Sequence, residues 1–196
     1  IISPISVTAI PGGEISGYPV ENIFNQSGLS ATYTSGVTDF SSFVTTTTHT
    51  SPSASGGYAS GAFRVTTIDF NFDFGEEVSL TRMALWNDTD SQAVGPFSLS
   101  LATDASFGTL IPLGAFNATQ STAPVPAQVF DIADATGRYF RMTATAIDET
   151  GILLNLGEVA FEGSASVSGT ISEPGVFSLF CLALAGVGFC RMKRSA

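Results

Sequence analysis

Residues 68–74 read Ile68-Asp69-Phe70-Asn71-Phe72-Asp73-Phe74 and alternate strictly between large apolar and polar side chains. Successive side chains of a β-strand point to opposite faces, so the four apolar side chains share one face and the three polar ones share the other. Such a strand has one face in a core and the other in solvent. This stretch therefore predicts a half-buried strand of an antiparallel sheet.

The same alternation recurs further along the chain, in residues 97–101, 139–144 and 158–162. Residues 83–86 are apolar on both faces, which predicts a central strand. Turn signals such as Gly75-Glu76 and Gly95-Pro96 separate the strands at intervals of about ten residues. Many short half-buried strands at this spacing predict an all-β fold, an antiparallel β-sandwich of the Greek-key or jelly-roll type.

No helical period is present before the C-terminal tail, and residues 45–61, rich in Thr, Ser and Gly, predict a long loop. Residues 1–163 form the predicted sandwich, and the Ser-, Gly- and Thr-rich residues 164–173 form a predicted tether. Residues 174–196 form the predicted anchor and basic tail.

The composition of residues 1–163 excludes several kinds of function. This part has four arginines, no lysine and sixteen of the seventeen acidic residues of the chain. Nucleic acid is not an expected partner, because binding phosphates requires clustered cations. The same residues contain no cysteine, which excludes a disulfide framework and a thiolate zinc site. An acidic surface suits an extracellular protein, with Ca²⁺ as a natural counter-ion.

The C-terminal tail has the pattern of a membrane anchor. Residues 175–190 carry no charge and are followed by Arg191-Met192-Lys193-Arg194. As a helix the apolar run would be about 24 Å long, which spans a bilayer with local thinning. A basic cluster beyond such a segment marks the cytoplasmic end, so residues 1–170 are expected outside the cell. The alternative is a buried core helix of a soluble protein.

The order of these parts resembles the PEP-CTERM sorting signal of exosortase-processed bacterial proteins, although Ser172 stands where that signal has its first proline. The resemblance implies export in a Gram-negative bacterium, an inner-membrane stage and recognition by exosortase. Removal or transfer of the tail at the outer surface would follow. We expect an export signal to have been removed upstream of Ile1. The residues that match the sorting signal are Glu173, Pro174, Arg191, Lys193 and Arg194.

A second resemblance covers most of residues 1–163. Residues 19–29 resemble the opening loop of discoidin (coagulation-factor type C) and galactose-binding-like domains. Residues 67–75 and 78–86 resemble their central strands, residues 138–142 their late strand and residues 157–163 their closing strand. With residues 35–40 and 84–87, the combination also resembles that of bacterial PEP-CTERM surface proteins. The resemblance implies a galactose-binding-like β-sandwich.

In the resembled family a structural Ca²⁺ ties the opening loop to the closing strand. By position it would recruit Asn25, carbonyls of residues 26–28, Ser30 and Glu158. Asn25 stands where the family usually has Asp. The alternative is a loop held by Asx-turn hydrogen bonds without a metal. Asp88 and Asp90 form a separate candidate cation site.

Sugar binding needs aromatic faces and planar polar groups in loops. The candidates chosen on this ground are Tyr33, His49, Tyr58 and Asn87. Trp86, at the end of a strand, is expected in the core. Arg138 and Arg141 are expected to pair with carboxylates, the alternative being contact with an anionic polysaccharide.

Nothing in the sequence predicts an enzyme. His49 is the only histidine, and no G-x-S-x-G motif accompanies it. The leading hypothesis is an exported cell-surface or matrix protein whose sandwich binds carbohydrate without catalysis, such as the exopolysaccharide of a biofilm. The alternative is a purely structural surface protein without a specific ligand. A secreted glycoside hydrolase is a remote third hypothesis.

Overall fold

The computed structural model describes residues 1–61, 67–148 and 153–166. These residues form eight β-strands, one short α-helix and one 3-10 helix. The strands are β1 Ser6–Ile10, β2 Thr48–His49, β3 Tyr58–Ala59, β4 Thr67–Asn87, β5 Val94–Ala102, β6 Leu110–Asn117, β7 Val125–Ala146 and β8 Asn155–Ala165. The helix α1 is Phe40–Thr46, and the 3-10 helix is Val20–Ile23.

The long strands β4 and β7 each contribute to two layers. Their register shifts between Asp73 and Val78 of β4. Before the shift β4 pairs with β1 and with the second half of β7, and this first layer continues through β5 and β6. After the shift β4 pairs with the first half of β7 and with β8, which pairs with β3, and these strands form the second layer. All these ladders are antiparallel, and the predicted β-sandwich is confirmed.

The apolar face of residues 68–74 lies in the main core between the layers. Phe70 and Phe72 have 0% exposure and Phe74 has 4%. The Phe161 ring on β8 meets the rings of Phe72 and Phe74 edge to face, with centroids 5.3 and 5.4 Å apart. Phe161 therefore joins the two layers.

A second apolar cluster lies on the other face of the second layer. Trp86 is fully buried there with Phe40 and Phe43 of α1, as was expected for a core tryptophan. Its indole Nε1–H donates to the carbonyl of Thr47 at 3.0 Å. Residues 83–86 are apolar on both faces because the segment containing α1 covers the face away from the main core.

Helix α1 corrects the prediction that no helix precedes the tail. Its N-cap residue Asp39 accepts a hydrogen bond from the Ser42 N–H at 2.8 Å. Phe40 and Phe43, three residues apart, share the buried face. Seven residues are too few for a period to stand out against the surrounding Thr and Ser. The predicted loop at 45–61 likewise contains the end of α1 and the short strands β2 and β3.

The last strand also extends beyond its predicted end. Ser164 and Ala165 pair with Ser79 and Val78 of β4, so these two residues belong to β8 rather than to the tether. The rest of the predicted tether from residue 167, the anchor and the sorting residues lie outside the described residues. Within the described part of the chain, no helix has the length and apolar character needed to cross a membrane.

Candidate functional site

The opening loop and the closing strand meet at Glu158. This side chain has 0% exposure, and its Oε2 accepts a hydrogen bond from the backbone N–H of Gln26 at 2.9 Å. Its Oε1 is buried and has no hydrogen-bond partner in the described structure. Burial raises the pKa of Glu158 well above its ordinary value, and the Gln26 N–H only partly opposes this shift.

The other residues predicted to bind calcium shape the opening loop. Asn25 Oδ1 accepts the Ser27 N–H at 2.8 Å, which is an Asx turn. Ser30 Oγ accepts the Thr48 N–H at 2.9 Å and so fastens the loop to β2. Both oxygens thus already accept a hydrogen bond. The contacts expected for a loop held without a metal are therefore present.

The fit of a cation to this place depends on Glu158. The described residues contain no group of three or more His, Cys, Asp or Glu side chains that could hold a metal. A Ca²⁺ ion would therefore take a single carboxylate and complete its shell with carbonyl, amide, hydroxyl and water oxygens. The unpartnered Oε1 of Glu158 is the observation that fits such a ligand.

The two tyrosines predicted to bind sugar are buried. Tyr33 is 6% exposed and packs edge to face on Phe43 at 5.2 Å. Tyr58 has 0% exposure and packs in the same way on Phe70 at 5.4 Å. Because neither ring presents a face to solvent, the prediction that they stack on sugar is wrong in this structure. Tyrosine occurs both in cores and on binding surfaces, so the residue type did not indicate which of the two applies here.

His49 is buried as well, with 1% exposure. Its Nδ1 contacts the carbonyl of Thr50, and its Nε2 is buried without a partner in the described structure. Gly28, at φ +84°, allows this packing, because a Cβ there would lie 2.5 Å from the His49 ring. His49 therefore supports the opening loop and does not present its ring to a ligand.

Asn87, the fourth predicted sugar-binding residue, is a buried clamp. Its Nδ2 donates to the carbonyls of Val94 at 2.6 Å and Thr119 at 2.9 Å. Its Oδ1 accepts the N–H groups of Asp88 at 3.0 Å and Val94 at 2.9 Å. With 0% exposure and its amide fully engaged, Asn87 ties together three chain segments. It offers nothing to a ligand, contrary to the prediction.

A groove that the sequence did not reveal lies beside the second half of β7. It has a volume of about 360 Å³, and we call it the β7 groove. It combines one aromatic ring, one guanidinium, one carboxylate and two hydroxyl side chains. The residues that line it are Glu77, Leu101, Ala102, Thr103, Thr136, Gly137, Arg138 and Tyr139.

A ladder of planar side chains extends from the β7 groove. The Arg138 guanidinium lies 5.0 Å from the centre of the Tyr139 ring. The Phe107 ring meets Tyr139 edge to face at 5.9 Å, and the Arg141 guanidinium lies 5.2 Å from Phe107. All four side chains are partly exposed. Phe107 comes from the β5–β6 loop and has a φ of +54°, so no strand period could place it here.

The arginines of the ladder form the ion pairs that the sequence predicted. Arg138 binds both carboxylate oxygens of Asp73, at 2.7 and 2.9 Å, and this lowers the pKa of Asp73. Arg141 lies 3.2 Å from Asp69 Oδ2. Because the guanidinium charges are already paired and Glu77 lines the groove, the groove carries no excess positive charge. It suits a neutral, hydroxyl-rich ligand better than an anionic one.

A second groove, of about 380 Å³, lies near the end of β6 and is called the end groove here. Its polar side chains include Asn117 and Gln120, and its apolar side chains include Pro96 and the exposed Ile147. No aromatic residue lines it among the described residues, so it lacks a surface for stacking.

The comparisons with solved structures agree with this architecture. A pectin-binding carbohydrate-binding module has a TM-score of 0.55 with 15% identity, and the match covers 85% of this chain and 95% of that one. The CBM32-3 module of a Clostridium perfringens family 31 glycoside hydrolase has a TM-score of 0.54 with 12% identity, covering 83% and 90%. The fold is that of carbohydrate-binding modules.

A further match is the CBM32 of AlyQ in complex with 4,5-unsaturated mannuronic acid. Its TM-score is 0.52 with 18% identity, covering 82% of this chain and 96% of that one. No protein-family model and no curated protein sequence matches the chain. At these identities the likeness shows a shared fold, that of CBM32 modules, and the predicted galactose-binding-like sandwich is confirmed at that level. Some of these similar structures are parts of enzymes: one is a module of a family 31 glycoside hydrolase, and another is a truncated AlyQ with CBM32 and alginate lyase domains.

Proposed function

We propose that this chain is a non-catalytic carbohydrate-binding protein that holds a polysaccharide in the β7 groove. The observation that carries the proposal is the planar ladder of Tyr139, Phe107 and two arginines beside a groove on a fold shared with carbohydrate-binding modules. A groove of about 360 Å³ is at the lower end of the range of small-molecule sites.

The chemistry of the groove suits sugar rings. An aromatic side chain offers an apolar surface to the C–H groups of a sugar, and hydroxyl and charged side chains exchange hydrogen bonds with its hydroxyls. The ion pair between Arg138 and Asp73 fixes the guanidinium before any ligand arrives, which lowers the entropic cost of binding. The proposed ligand is therefore a neutral exopolysaccharide, bound along the β7 strand.

Tyr139→Ala is expected to weaken polysaccharide binding about tenfold, which corresponds to about 1.4 kcal/mol. The ring lines the groove and contacts both Arg138 and Phe107, so its loss removes the apolar surface and the edge-to-face contact that supports Phe107. Affinity electrophoresis against a panel of neutral and acidic polysaccharides measures the effect.

The matched control is Asn117→Ala, which removes a polar side chain of the end groove. It is expected to leave binding unchanged. Loss of binding in this variant alone would move the site to the end groove. A folded wild-type chain that binds no polysaccharide would favour the alternative, a structural surface protein without a specific ligand.

We also propose that Glu158 helps to hold a structural Ca²⁺ between the opening loop and the closing strand. Its buried Oε1 supports this proposal. A bound cation would neutralise a carboxylate whose burial is otherwise unfavourable. It would also stabilise the chain by holding the opening loop, which Gln26 and Ser30 already attach to neighbouring strands.

Without Ca²⁺, the wild type is expected to lose stability as the pH rises, relative to Glu158→Gln. Because the folded-state pKa of Glu158 is raised above its unfolded value, the contribution of this group is complete below about pH 4.3. It is lost as the pH rises through the folded-state pKa. Free energies of unfolding in urea with a chelator, between pH 4 and pH 8, measure the difference, about 1–3 kcal/mol at the upper end.

Added Ca²⁺ is expected to raise the melting temperature of the wild type at neutral pH more than that of Glu158→Gln. Equal increases in both proteins would show that Glu158 is not a calcium ligand. If the free energies of unfolding of the wild type and of Glu158→Gln change in parallel with pH in the chelator, the Glu158 carboxyl does not cause the pH dependence.

Finally, we propose that the chain is exported and sorted to the cell surface or extracellular matrix by exosortase. The basis is the sequence of residues 172–194, with its Glu-Pro pair, apolar run and basic end. Cell fractionation tests this. Deleting residues 171–196 is expected to release the chain from the membrane fraction, and an unchanged distribution would contradict the proposal.

A further inference from the structure

Three chain segments meet at the end of β4, just beyond Asn87. The Ser53 N–H donates to Asp88 Oδ1 at 3.3 Å. The hydroxyls of Ser51 and Thr89 are 2.8 Å apart, and Gln120 Nε2 donates to the Thr89 carbonyl at 2.6 Å. We call this the loop end. It is rich in oxygen atoms and lies outside the β7 groove.

Asp88 is the deepest group of the loop end. It has 0% exposure, and its Oδ1 accepts the backbone N–H groups of Thr89 at 2.7 Å and Ser53. Its Oδ2 is buried and has no hydrogen-bond partner in the described structure. A buried carboxylate oxygen without a partner is costly, so a compensating group is expected at this atom.

Asp90 faces the same place. Its Oδ1 accepts the Gln92 N–H at 2.8 Å, and its carboxyl interacts with that of Asp88. Burial, and then Asp88, raise the pKa of Asp90 above its ordinary value. Two carboxylates this close repel each other unless a proton or a cation lies between them.

No described arginine neutralises this pair, because each one binds another carboxylate. The ion pairs are Arg82 with Glu162, Arg138 with Asp73 and Arg141 with Asp69. Among the residues that the structure describes, the pair therefore has no cationic side chain beside it.

We propose that Asp88 and Asp90 bind a divalent, oxygen-seeking cation of the Ca²⁺ class at the loop end. The buried Oδ2 of Asp88 and the carboxylate of Asp90 supply the charge. Nearby hydroxyl and carbonyl oxygens and water complete the shell, as hard cations of this kind accept. The ion fastens the loop that carries Ser51 and Ser53 to the loop that follows β4.

This site is separate from the one proposed at Glu158. The Glu158 carboxylate contacts the opening loop through Gln26, whereas the Asp88 carboxylate contacts Ser53 and Thr89. The two sites therefore predict two bound ions, which single substitutions can remove one at a time.

Isothermal titration of the whole chain with Ca²⁺ alone, after chelator treatment and in detergent, tests the proposal. Glu158→Gln is expected to retain one ion, bound through Asp88 and Asp90. Adding Asp90→Asn to it is expected to weaken the remaining binding at least tenfold. Asp88→Asn is the second variant, and it preserves the hydrogen bonds that Oδ1 accepts. Asp104→Asn, in an exposed loop where its carboxylate accepts from Ser106, is the control and is expected to change nothing.

Two results would overturn the proposal. One is a folded Glu158→Gln chain that binds no Ca²⁺. The other is Asp90→Asn with unchanged Ca²⁺ binding and higher stability at neutral pH, which would show that the Asp90 carboxylate is not a ligand and only repels that of Asp88. Polysaccharide binding is measured separately, so failure of the β7 groove proposal leaves this result intact.

Discussion

Phe161→Ala is expected to lower the free energy of unfolding by about 3–5 kcal/mol. Phe161 has 0% exposure, and its ring meets Phe72 and Phe74 of the first layer edge to face. Truncation would remove apolar burial and two ring contacts. It would also leave a cavity, because β4 and β7 contribute to both layers and keep the layers from closing over it. Urea unfolding followed by the fluorescence of Trp86 measures the loss.

The matched control is Val129→Ala on the outer face of β7, where the side chain is 41% exposed. Its effect is expected to stay within about 0.5 kcal/mol. A loss below about 1 kcal/mol for Phe161→Ala would contradict the packing of the two layers described above.

Asn87→Leu is expected to destabilise the fold by about 3 kcal/mol or more, because its four hydrogen-bonding partners would lose their contacts inside the protein. The N–H groups of Asp88 and Val94 and the carbonyls of Val94 and Thr119 would be left unpaired. Leucine has the same branched shape but a larger volume, so overpacking at this fully buried position adds to the effect of the lost hydrogen bonds. Thermal and urea unfolding measure it.

The same variant separates a structural role from a ligand-binding role. If Asn87 has only a structural role, the variant has lower stability and unchanged polysaccharide affinity at temperatures where it is folded. Unchanged stability with lost affinity would restore Asn87 as a sugar-binding residue. Asn87→Asp keeps the acceptor, removes both donated hydrogen bonds and buries a charge, so it is also expected to destabilise the protein at neutral pH.

The strands were predictable because their signal is local. The alternation of residues 68–74 requires one apolar face, and burial of that face against a second layer follows from the hydrophobic effect. The same reasoning placed residues 83–86 in a central strand. It could not show that α1 and the segment around Tyr33 would cover the second layer from outside.

The candidate sites were less predictable. The contact of Glu158 with Gln26 joins residues 132 positions apart, and only the resemblance to a known family indicated it. Tyr33, Tyr58 and His49 were chosen because their side chains suit sugar, but side-chain type carries no information on exposure. Phe107 was missed because its position depends on a loop conformation with positive φ.

The sequence alone determined the β class of the chain, its acidic and cysteine-free character before the tail, and the faces of the main strands. Those properties depend on composition or on neighbours two residues apart. Only the tertiary structure decided which polar groups are clamps, which carboxylates are buried without partners, and which aromatic side chains remain at the surface. Exposure is set by the segments that pack on a residue, and those segments lie far away in the chain.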